Sequence, residues 1–313
     1  MLFYAVLDTI LESMEKKIRV KADSAVIKTF LTRGVENVYP SAEALEKKLL
    51  SGDRLTIYLG VDPTGPDLHL GHVIHMRKLA ELQKLGHRVI LLIGDFTAMI
   101  GDPTDKTATR QPLTREQVLA NCKGYKEQAS KILDFSGKNA VEMKFNSAWL
   151  AKMQFADILE LTSRFTVQQM IQRDMFKRRV EEDKPIAITE FLYPLMQAYD
   201  SVVMDVDLEI GGNDQTFNML AGRDLLKILK NKEKFVMTSK LLADPTGKKM
   251  GKTEGNMITL GDSPEDLYGK VMSWTDEMIA SGFELLTDVS MKEVAEMVKA
   301  MKQGKNPMVF KRQ

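Results

Sequence analysis

The sequence predicts an α/β protein built around a parallel β-sheet, and three observations support this fold class. Residues 55–61 are rich in β-forming side chains and end at the turn-forming cluster 62–66, which indicates a strand. Apolar residues then recur about every three positions from Val73 to Leu85, which predicts a helix. The unbroken apolar run 89–93 is typical of a strand covered on both faces. A strand, a helix and a strand in this order form a βαβ unit.

The rest of the chain is predicted to contain more helix than strand. Helical patterns cover residues 7–50, 114–133, 157–179 and 215–229, and another helical segment begins after Pro264. Weaker strand patterns cover 141–145 and 202–210. Ser41, followed by an acidic first turn, is predicted to be a helix N-cap. The prediction is therefore a Rossmann-like parallel sheet with a helical insertion.

The composition is ordinary for a folded, soluble protein, with 44% hydrophobic and 28% charged residues. No apolar run is long enough for a membrane span, and the opening residues 1–7 lack the basic leader of a signal peptide. The single cysteine, Cys122, can form neither an internal disulfide nor a cysteine metal cluster. We therefore expect a cytoplasmic protein.

The net charge of +1 is far from the strongly basic balance of a typical nucleic-acid-binding protein. Any nucleic acid must then be bound by local basic patches. The chain end is one candidate, with Lys302, Lys305 and Lys311. An ordinary solvated helix end explains the same residues.

The first chemical motif is His69-Leu70-Gly71-His72, between the first predicted strand and the following helix. Helix N-termini carry unpaired N–H groups and bind phosphates. Two imidazoles three residues apart share one helix face and can donate to phosphate oxygens, and Gly71 lets a nucleotide approach the backbone. Two surface histidines at a helix start are the competing interpretation.

The second motif is the lysine-rich, glycine-flanked segment 248–256, which includes Lys249 and Lys252. Two lysines three residues apart can close on a polyphosphate and stabilise the charge that gathers on leaving pyrophosphate. Taken alone, such a segment is more often a solvated loop. Two motifs of these kinds in this order are the signature of class I aminoacyl-tRNA synthetases.

The third motif concerns a small polar substrate. Tyr193, Gln197 and Asp200 are spaced four and then three residues apart, so a helix presents them on one face. They form either the polar wall of a pocket or simply a partly polar helix face. Further on, residues 211–215 form a glycine turn into a helix, with a carboxylate suited to a ribose diol.

The combined motifs resemble bacterial tyrosyl-tRNA synthetases over about nine-tenths of the chain, from about residue 25 to the end. The matching stretches are 60–72, 94–110, 190–201, 211–218 and 249–256. The resemblance implies that the chain activates L-tyrosine with ATP, accompanied by Mg²⁺ but without a protein-bound metal site, and charges tRNA(Tyr). It also implies a homodimer formed through the insertion.

The resemblance further implies a role for each site residue. Tyrosine binding is assigned to Tyr58 and Asp200 at the phenolic hydroxyl, to Asp102, Tyr193 and Gln197 at the ammonium group, and to Gln215 in the pocket wall. Nucleotide binding is assigned to Gly60, Asp62, Gly71, Gly212, Asp214 and Met250. Phosphate contacts and catalysis are assigned to Thr64, His69, His72, Lys106, Arg110, Lys249, Lys252 and Thr253.

The resemblance also implies the domain organisation. An N-terminal helical segment covers 1–54, and the Rossmann-like catalytic domain covers 55–240 with its insertion at about 106–206. Residues 241–313 hold the KMSKS-type lysine loop and the beginning of a helical anticodon-binding domain, which ends earlier than is usual in the family. The sequence also departs from the family pattern at Leu59, where some relatives place a ribose-binding side chain, at Asn213, and at Gly251 and Thr253 in the lysine loop.

Two other functions compete with this interpretation. A nucleotidyltransferase of the same fold shares the histidine motif but is not expected to combine it with the Tyr193, Gln197 and Asp200 face. A non-catalytic RNA-binding protein derived from a synthetase is expected to lose the histidines or lysines, and this chain retains both.

Overall fold

One mostly parallel sheet forms the centre of the protein. A computed structural model describes residues 18–103, 112–243 and 257–313, and within these ranges six strands join in the order β1-β6-β5-β2-β3-β4. The strands are β1 (Val35–Tyr39), β2 (Thr56–Val61), β3 (Arg88–Ile93), β4 (Glu142–Phe145), β5 (Leu208–Gly212) and β6 (Phe235–Ser239). All neighbours are parallel except β1, which runs antiparallel to β6. The predicted α/β class is confirmed.

Helices surround this sheet and connect its strands. In chain order they are α1 (Ser24–Thr32), α2 (Ala42–Leu50), α3 (Leu70–Lys84), α4 (Thr97–Ile100), α5 (Arg115–Cys122), α6 (Tyr125–Ala129), α7 (Ser147–Leu150), α8 (Phe155–Thr162), α9 (Val167–Ile171), α10 (Asp174–Glu181), α11 (Ile188–Met204), α12 (Thr216–Lys230), α13 (Pro264–Met272), α14 (Met278–Leu286), α15 (Met291–Lys302) and α16 (Met308–Lys311). The predicted βαβ unit is β2-α3-β3, and α3 buries the periodic residues Val73, Met76, Leu79 and Leu82 against the sheet. None of the described helices is long and apolar enough to cross a bilayer.

The N-terminal part differs from the prediction that residues 7–50 are helical. Strand β1 lies within that range and pairs with β6 at the edge of the sheet. Because an edge strand has only one neighbour, Glu36 and Asn37 remain exposed and no buried apolar run marks the strand. The Ser41 N-cap is confirmed, since its Oγ accepts a hydrogen bond from the N–H of Ala44 at 3.2 Å.

The region predicted as a helical insertion, 106–206, also contributes to the sheet. Its strand β4, predicted at 141–145, pairs parallel with β3. Helices α8 to α11 follow, and α11 packs against α12 through a second apolar core that includes Leu195, Val202 and Leu225. This packing fixes the rotation of α11 about its axis. The predicted polar face of Tyr193, Gln197 and Asp200 is thereby held in one orientation. The domain boundaries given above stay a prediction.

The C-terminal helices attach to the sheet domain through two arginines. Arg33 donates to the carbonyl oxygens of Phe283, Glu284 and Thr287, each at 2.8 Å, and Arg77 donates to that of Thr287 at 2.7 Å. These carbonyls lie at the C-terminal end of α14. The last carbonyls of an α-helix have no hydrogen-bond partner within the helix. Cationic side chains at this end also complement the helix dipole.

One lysine of the basic chain end, Lys311, is less available to a ligand than its sequence suggests, whereas Lys302 and Lys305 are exposed. Lys311 is only 8% exposed and pairs with Asp276 at 2.8 Å. Its Nζ also donates to the carbonyl oxygen of Trp274. Lys311 therefore supports the packing of the C-terminal helices, and it is a poor candidate for a nucleic-acid contact.

Candidate active site

A cavity of about 330 Å³ lies at the carboxyl ends of β2, β3 and β5. In an α/β sheet, ligands bind outside these strand ends, where neighbouring connections leave to opposite faces. The chain leaves β2 into α3 and leaves β5 into α12, so both helix starts border the cavity. Helix α11 closes a further side with Tyr193, Gln197 and Asp200.

The histidine motif forms the start of α3. His69 is the N-cap, and its Nδ1 accepts from the N–H of Gly71 at 3.1 Å. The Nδ1 of His72 accepts in turn from the N–H of His69 at 3.1 Å. A Cβ added at Gly71 would lie 2.8 Å from the His69 ring, so glycine is needed here for the capping imidazole itself.

These hydrogen bonds also determine the chemistry of the two imidazoles. Because each Nδ1 accepts, each neutral ring carries its proton on Nε2 and can donate from that atom. Burial lowers the pKa of His69 to about 4, and burial together with the neighbouring His69 lowers the pKa of His72 well below its ordinary value. Both residues line the cavity, where they can donate to phosphate oxygens as neutral groups.

Asp200 lines the cavity and is 2% exposed, and together with Tyr58, which is 0% exposed, it marks the enclosed part of the cavity. Its carboxylate accepts from Trp149 Nε1 at 2.7 Å and from Asn146 Nδ2 at 3.3 Å. Burial raises the pKa of Asp200 well above its ordinary value, although these hydrogen bonds oppose the shift. Tyr58 also lines this part, with its Oη 3.0 Å from Ser201 Oγ.

Hydrogen bonds hold two further carboxylates, those of Asp62 and Asp102, at the cavity wall. Asp62 accepts from Tyr193 Oη at 2.9 Å and from Thr97 Oγ1 at 2.8 Å. Asp102 accepts from Gln215 Nε2 at 2.6 Å. The cavity therefore combines neutral donors at the start of α3 with acidic groups along α11 and the strand ends, an arrangement that suits an anionic phosphate chain beside a cationic amine.

All the predicted site residues within the described ranges line this one cavity. They are Tyr58, Gly60, Asp62, Thr64, His69, Gly71, His72, Asp102, Tyr193, Gln197, Asp200, Gly212, Asp214 and Gln215. The remaining candidates, Lys106, Arg110, Lys249, Met250, Lys252 and Thr253, lie outside the described residues.

The sequence interpretation missed several residues that shape the site. Asn146 and Trp149 hold Asp200 from the segment after β4, and no local pattern marks them. Glu209 lines the cavity from β5. An acidic residue inside an otherwise buried strand was a usable signal for Glu209, because charged groups are rarely buried without a partner.

All four histidines of the sequence have lowered pKa values, which predicts acid sensitivity. Burial is the main cause; the pKa is about 4 for His69, His75 and His87, and that of His72 lies well below its ordinary value. Between pH 6.5 and 4 the unfolded chain binds protons that the folded chain does not. The free energy of unfolding therefore falls as the pH falls, by about 1.4 kcal/mol per pH unit for each histidine.

Asp200 partly opposes this loss of stability. Because its pKa is raised, the folded state takes up a proton there at a higher pH than the unfolded chain does. Urea unfolding at pH 7, 6 and 5 measures the net dependence. The variant His87→Gln, which keeps an acceptor for the N–H of Leu55, should show a shallower decline. A wild-type free energy of unfolding that stays constant across this range contradicts the prediction.

Comparisons with known proteins show the family of this chain. The family model described as class I tRNA synthetases (W and Y) matches residues 50–312. The fold and the site thus define a class I aminoacyl-tRNA synthetase. The tyrosine–tRNA ligase of Haemophilus ducreyi is 48% identical over 278 residues, which cover 88% of this chain and 69% of that protein. The ligase of Thermotoga maritima is 48% identical over 274 residues, covering 87% and 67%. The chain belongs to the tyrosine–tRNA ligase family.

Solved structures show the same architecture. A C-terminally truncated mitochondrial tyrosyl-tRNA synthetase from Coccidioides posadasii is 26% identical, with a TM-score of 0.73, and the match covers 99% of this chain and 94% of that one. The Archaeoglobus fulgidus tyrosyl-tRNA synthetase, solved in complex with L-tyrosine, has the same fold at 22% identity and a TM-score of 0.73, over 92% of this chain and 94% of that one.

Proposed function

We propose that the chain activates L-tyrosine with ATP, forming tyrosyl-adenylate and pyrophosphate, and then transfers the tyrosyl group to tRNA(Tyr). One observation carries the proposal: a single cavity joins the neutral histidine donors of α3 to the enclosed pocket beside Tyr58 and Asp200. The names of the sequence relatives, tyrosine–tRNA ligases, support the same substrate.

The enclosed part of the cavity is proposed to bind the tyrosine side chain. Asp200 accepts a hydrogen bond from the phenolic hydroxyl, and Tyr58 donates a hydrogen bond to the phenolic oxygen. Phenylalanine has no hydroxyl group, so Asp200 and Tyr58 each lose the hydrogen bond that tyrosine would make, in a buried site where that loss is energetically costly. Asp102, Tyr193 and Gln197 bind the ammonium group, and Gln215 holds Asp102 in position.

The open part of the cavity is proposed to bind ATP. Thr64 and His69 contact the γ-phosphate, and His72 contacts the nucleotide near the ribose. The ribose diol faces Asp214, between Gly60 and Gly212. Asp62, Gly71 and Met250 complete the nucleotide site in the proposal. Lys106, Arg110, Lys249, Lys252 and Thr253, which the described ranges do not include, are proposed to stabilise the departing pyrophosphate.

The chemical step requires no covalent bond to the protein. An oxygen of the tyrosine carboxylate attacks the α-phosphorus, the bond to the β-phosphate oxygen breaks, and pyrophosphate leaves. The side chains position the reactants and stabilise the developing charge. Mg²⁺ is proposed to enter with the ATP phosphates. Within the described ranges no group of three or more His, Cys, Asp or Glu side chains could hold a metal ion, and we assign no described side chain to Mg²⁺.

A homodimer through the insertion is part of the proposal. Large apolar side chains are exposed there, including Phe155 at 75%, Val167 at 61% and Ile188 at 79%. Surfaces of this kind commonly form protein interfaces. Met170, Met175 and Phe176, in contrast, are buried within this chain and belong to its core. The cytoplasmic location expected from the single cysteine stays a prediction.

Amino-acid-dependent exchange between ATP and pyrophosphate tests the activation step. We expect exchange with tyrosine alone among the twenty amino acids, because only tyrosine satisfies the polar groups of the enclosed pocket. Purified protein is incubated with ATP, labelled pyrophosphate and each amino acid in turn. Exchange with a different amino acid contradicts the proposed substrate. A folded protein without exchange for any amino acid contradicts the proposed activity.

A further inference from the structure

We propose that Lys234 is a positioning residue for tyrosine recognition, because it sets the direction of the hydrogen bonds that Gln197 and Tyr58 present to the substrate. The inference rests on the proposed function, since it takes the enclosed pocket as the tyrosine site. Lys234 directly precedes β6 and its side chain is 0% exposed. A lysine so deeply buried is rare unless it is paired.

The Lys234 ammonium occupies a site built for it behind the pocket. Nζ forms an ion pair with Glu209, and it donates to Ser201 Oγ at 2.8 Å and to the carbonyl oxygen of Met219 at 3.1 Å. These three contacts use all three N–H donors of the ammonium group. A Cβ added at Gly222 would lie only 2.6 Å from Nζ. Glycine destabilises a helix interior, yet here it leaves the room that the ammonium occupies.

The first branch of this network runs through Glu209 to Gln197. Glu209 pairs with Tyr58 in the parallel register of β5 and β2, so both side chains stand on the same face of the sheet. Lys234 binds Oε2 of Glu209, and Oε1 accepts from Gln197 Nε2 at 3.0 Å. Because an ionised carboxylate can only accept, the amide must turn its NH₂ group toward Glu209. The amide oxygen of Gln197 is then left to accept from the substrate ammonium group.

The second branch runs through Ser201 to Tyr58. An ammonium can only donate, so Ser201 Oγ accepts from Lys234, and repulsion turns the serine hydroxyl proton away from the cation. Tyr58 Oη is the neighbour on that side, 3.0 Å from Ser201 Oγ. Once Tyr58 accepts from Ser201, its own proton points away from the serine. Burial and the nearby Glu209 carboxylate raise the pKa of Tyr58, so the hydroxyl keeps this proton, and Glu209 and the phenolic oxygen of the substrate compete to accept it. Lys234 thus gives Tyr58 the donor role that complements the acceptor Asp200.

The test compares Lys234→Met with the wild-type protein in ATP–pyrophosphate exchange. The variant leaves Glu209 without its counter-ion, so the KM for tyrosine should rise about 10- to 100-fold. The preference for tyrosine over phenylalanine in kcat/KM should fall about tenfold or more, and the KM for ATP should stay within about twofold. The double variant Lys234→Met/Glu209→Gln should recover much of the tyrosine KM, since a neutral amide can still accept from Gln197 without an unpaired buried charge.

Two single variants make this test specific. Lys232→Met removes a lysine from the same loop whose ion pair with Asp207, at 3.0 Å, lies away from the cavity, so tyrosine selectivity should not change. Ser201→Ala keeps the helix intact, because alanine is a better helix former, and it should lower the preference for tyrosine even if Lys234→Met does not fold.

The possible outcomes separate the two proposals. A wild-type protein without tyrosine-dependent exchange overturns the proposed function itself. An active wild-type protein whose Lys234→Met and Ser201→Ala variants keep the normal preference for tyrosine over phenylalanine overturns the role of Lys234. An equal loss with all substrates, including a raised KM for ATP and no recovery in the double variant, also overturns it, because that result indicates a purely structural lysine.

Discussion

Asp200→Ala should lower kcat/KM for tyrosine in ATP–pyrophosphate exchange by about a thousandfold, which corresponds to about 4 kcal/mol. The variant removes the acceptor proposed for the phenolic hydroxyl and also leaves the donors of Trp149 and Asn146 without their buried partner. The kcat/KM for phenylalanine should change much less, since its ring offers no hydroxyl. The selectivity for tyrosine over phenylalanine therefore falls with the activity.

The matched control for this variant is Asp53→Ala. Asp53 is also an aspartate in a hydrogen-bonded pair, but its side chain is 60% exposed and contacts Lys48, away from the cavity. Its removal should leave both kcat/KM values unchanged. If Asp200→Ala retains near-normal tyrosine activation, the assignment of the enclosed pocket to the phenol ring is wrong.

Arg179→Met should lower the free energy of unfolding by about 3–5 kcal/mol, because it leaves the carboxylate of Glu190 buried without its counter-ion. Arg179 is 1% exposed and contacts Glu190 through two hydrogen bonds, at 2.6 and 3.0 Å. This pair joins α10 to the first turn of α11, where Glu190 also accepts from the N–H of Ala187. The midpoint of urea unfolding, followed by circular dichroism, measures the loss.

Two further variants separate burial from charge in that experiment. The double variant Arg179→Met/Glu190→Gln should regain part of the stability, since glutamine keeps an acceptor for the N–H of Ala187 and carries no charge. Arg164→Met breaks the exposed pair with Glu160 on α8 and should cost less than about 1 kcal/mol. If Arg179→Met is no less stable than Arg164→Met, burial does not make the Arg179–Glu190 pair more important than an exposed one.

The sequence predicted the central part of the fold because its elements carry strong local patterns. Strands β2 and β3 are buried on both faces, and α3 repeats its apolar residues at the helical period. Strand β1 was missed because it lies at the sheet edge, where Glu36 and Asn37 can remain in water. Pairing with β6, about two hundred residues later, forms this strand, and such a distant partner leaves no local signal.

The site was predictable wherever its residues lie next to a strand end or share one helix face. His69 and Gln197 belong to such motifs, and both line the cavity. Lys234 was not predictable in this way, because a lysine in a polar turn before a strand normally extends into solvent. The contacts of its Nζ with Glu209, Ser201 and Met219, and the room left by Gly222, show that its ammonium turns inward.

The two arginines that attach the C-terminal helices bind backbone carbonyl oxygens, and every amino acid carries one. The contacts of Arg33 and Arg77 therefore do not depend on which side chains stand at positions 283 and 287. The end of α14 can thus change in sequence during evolution without losing these contacts, whereas neither arginine can be replaced as freely. The outer surface of the C-terminal helices can consequently change while their junction with the sheet stays the same.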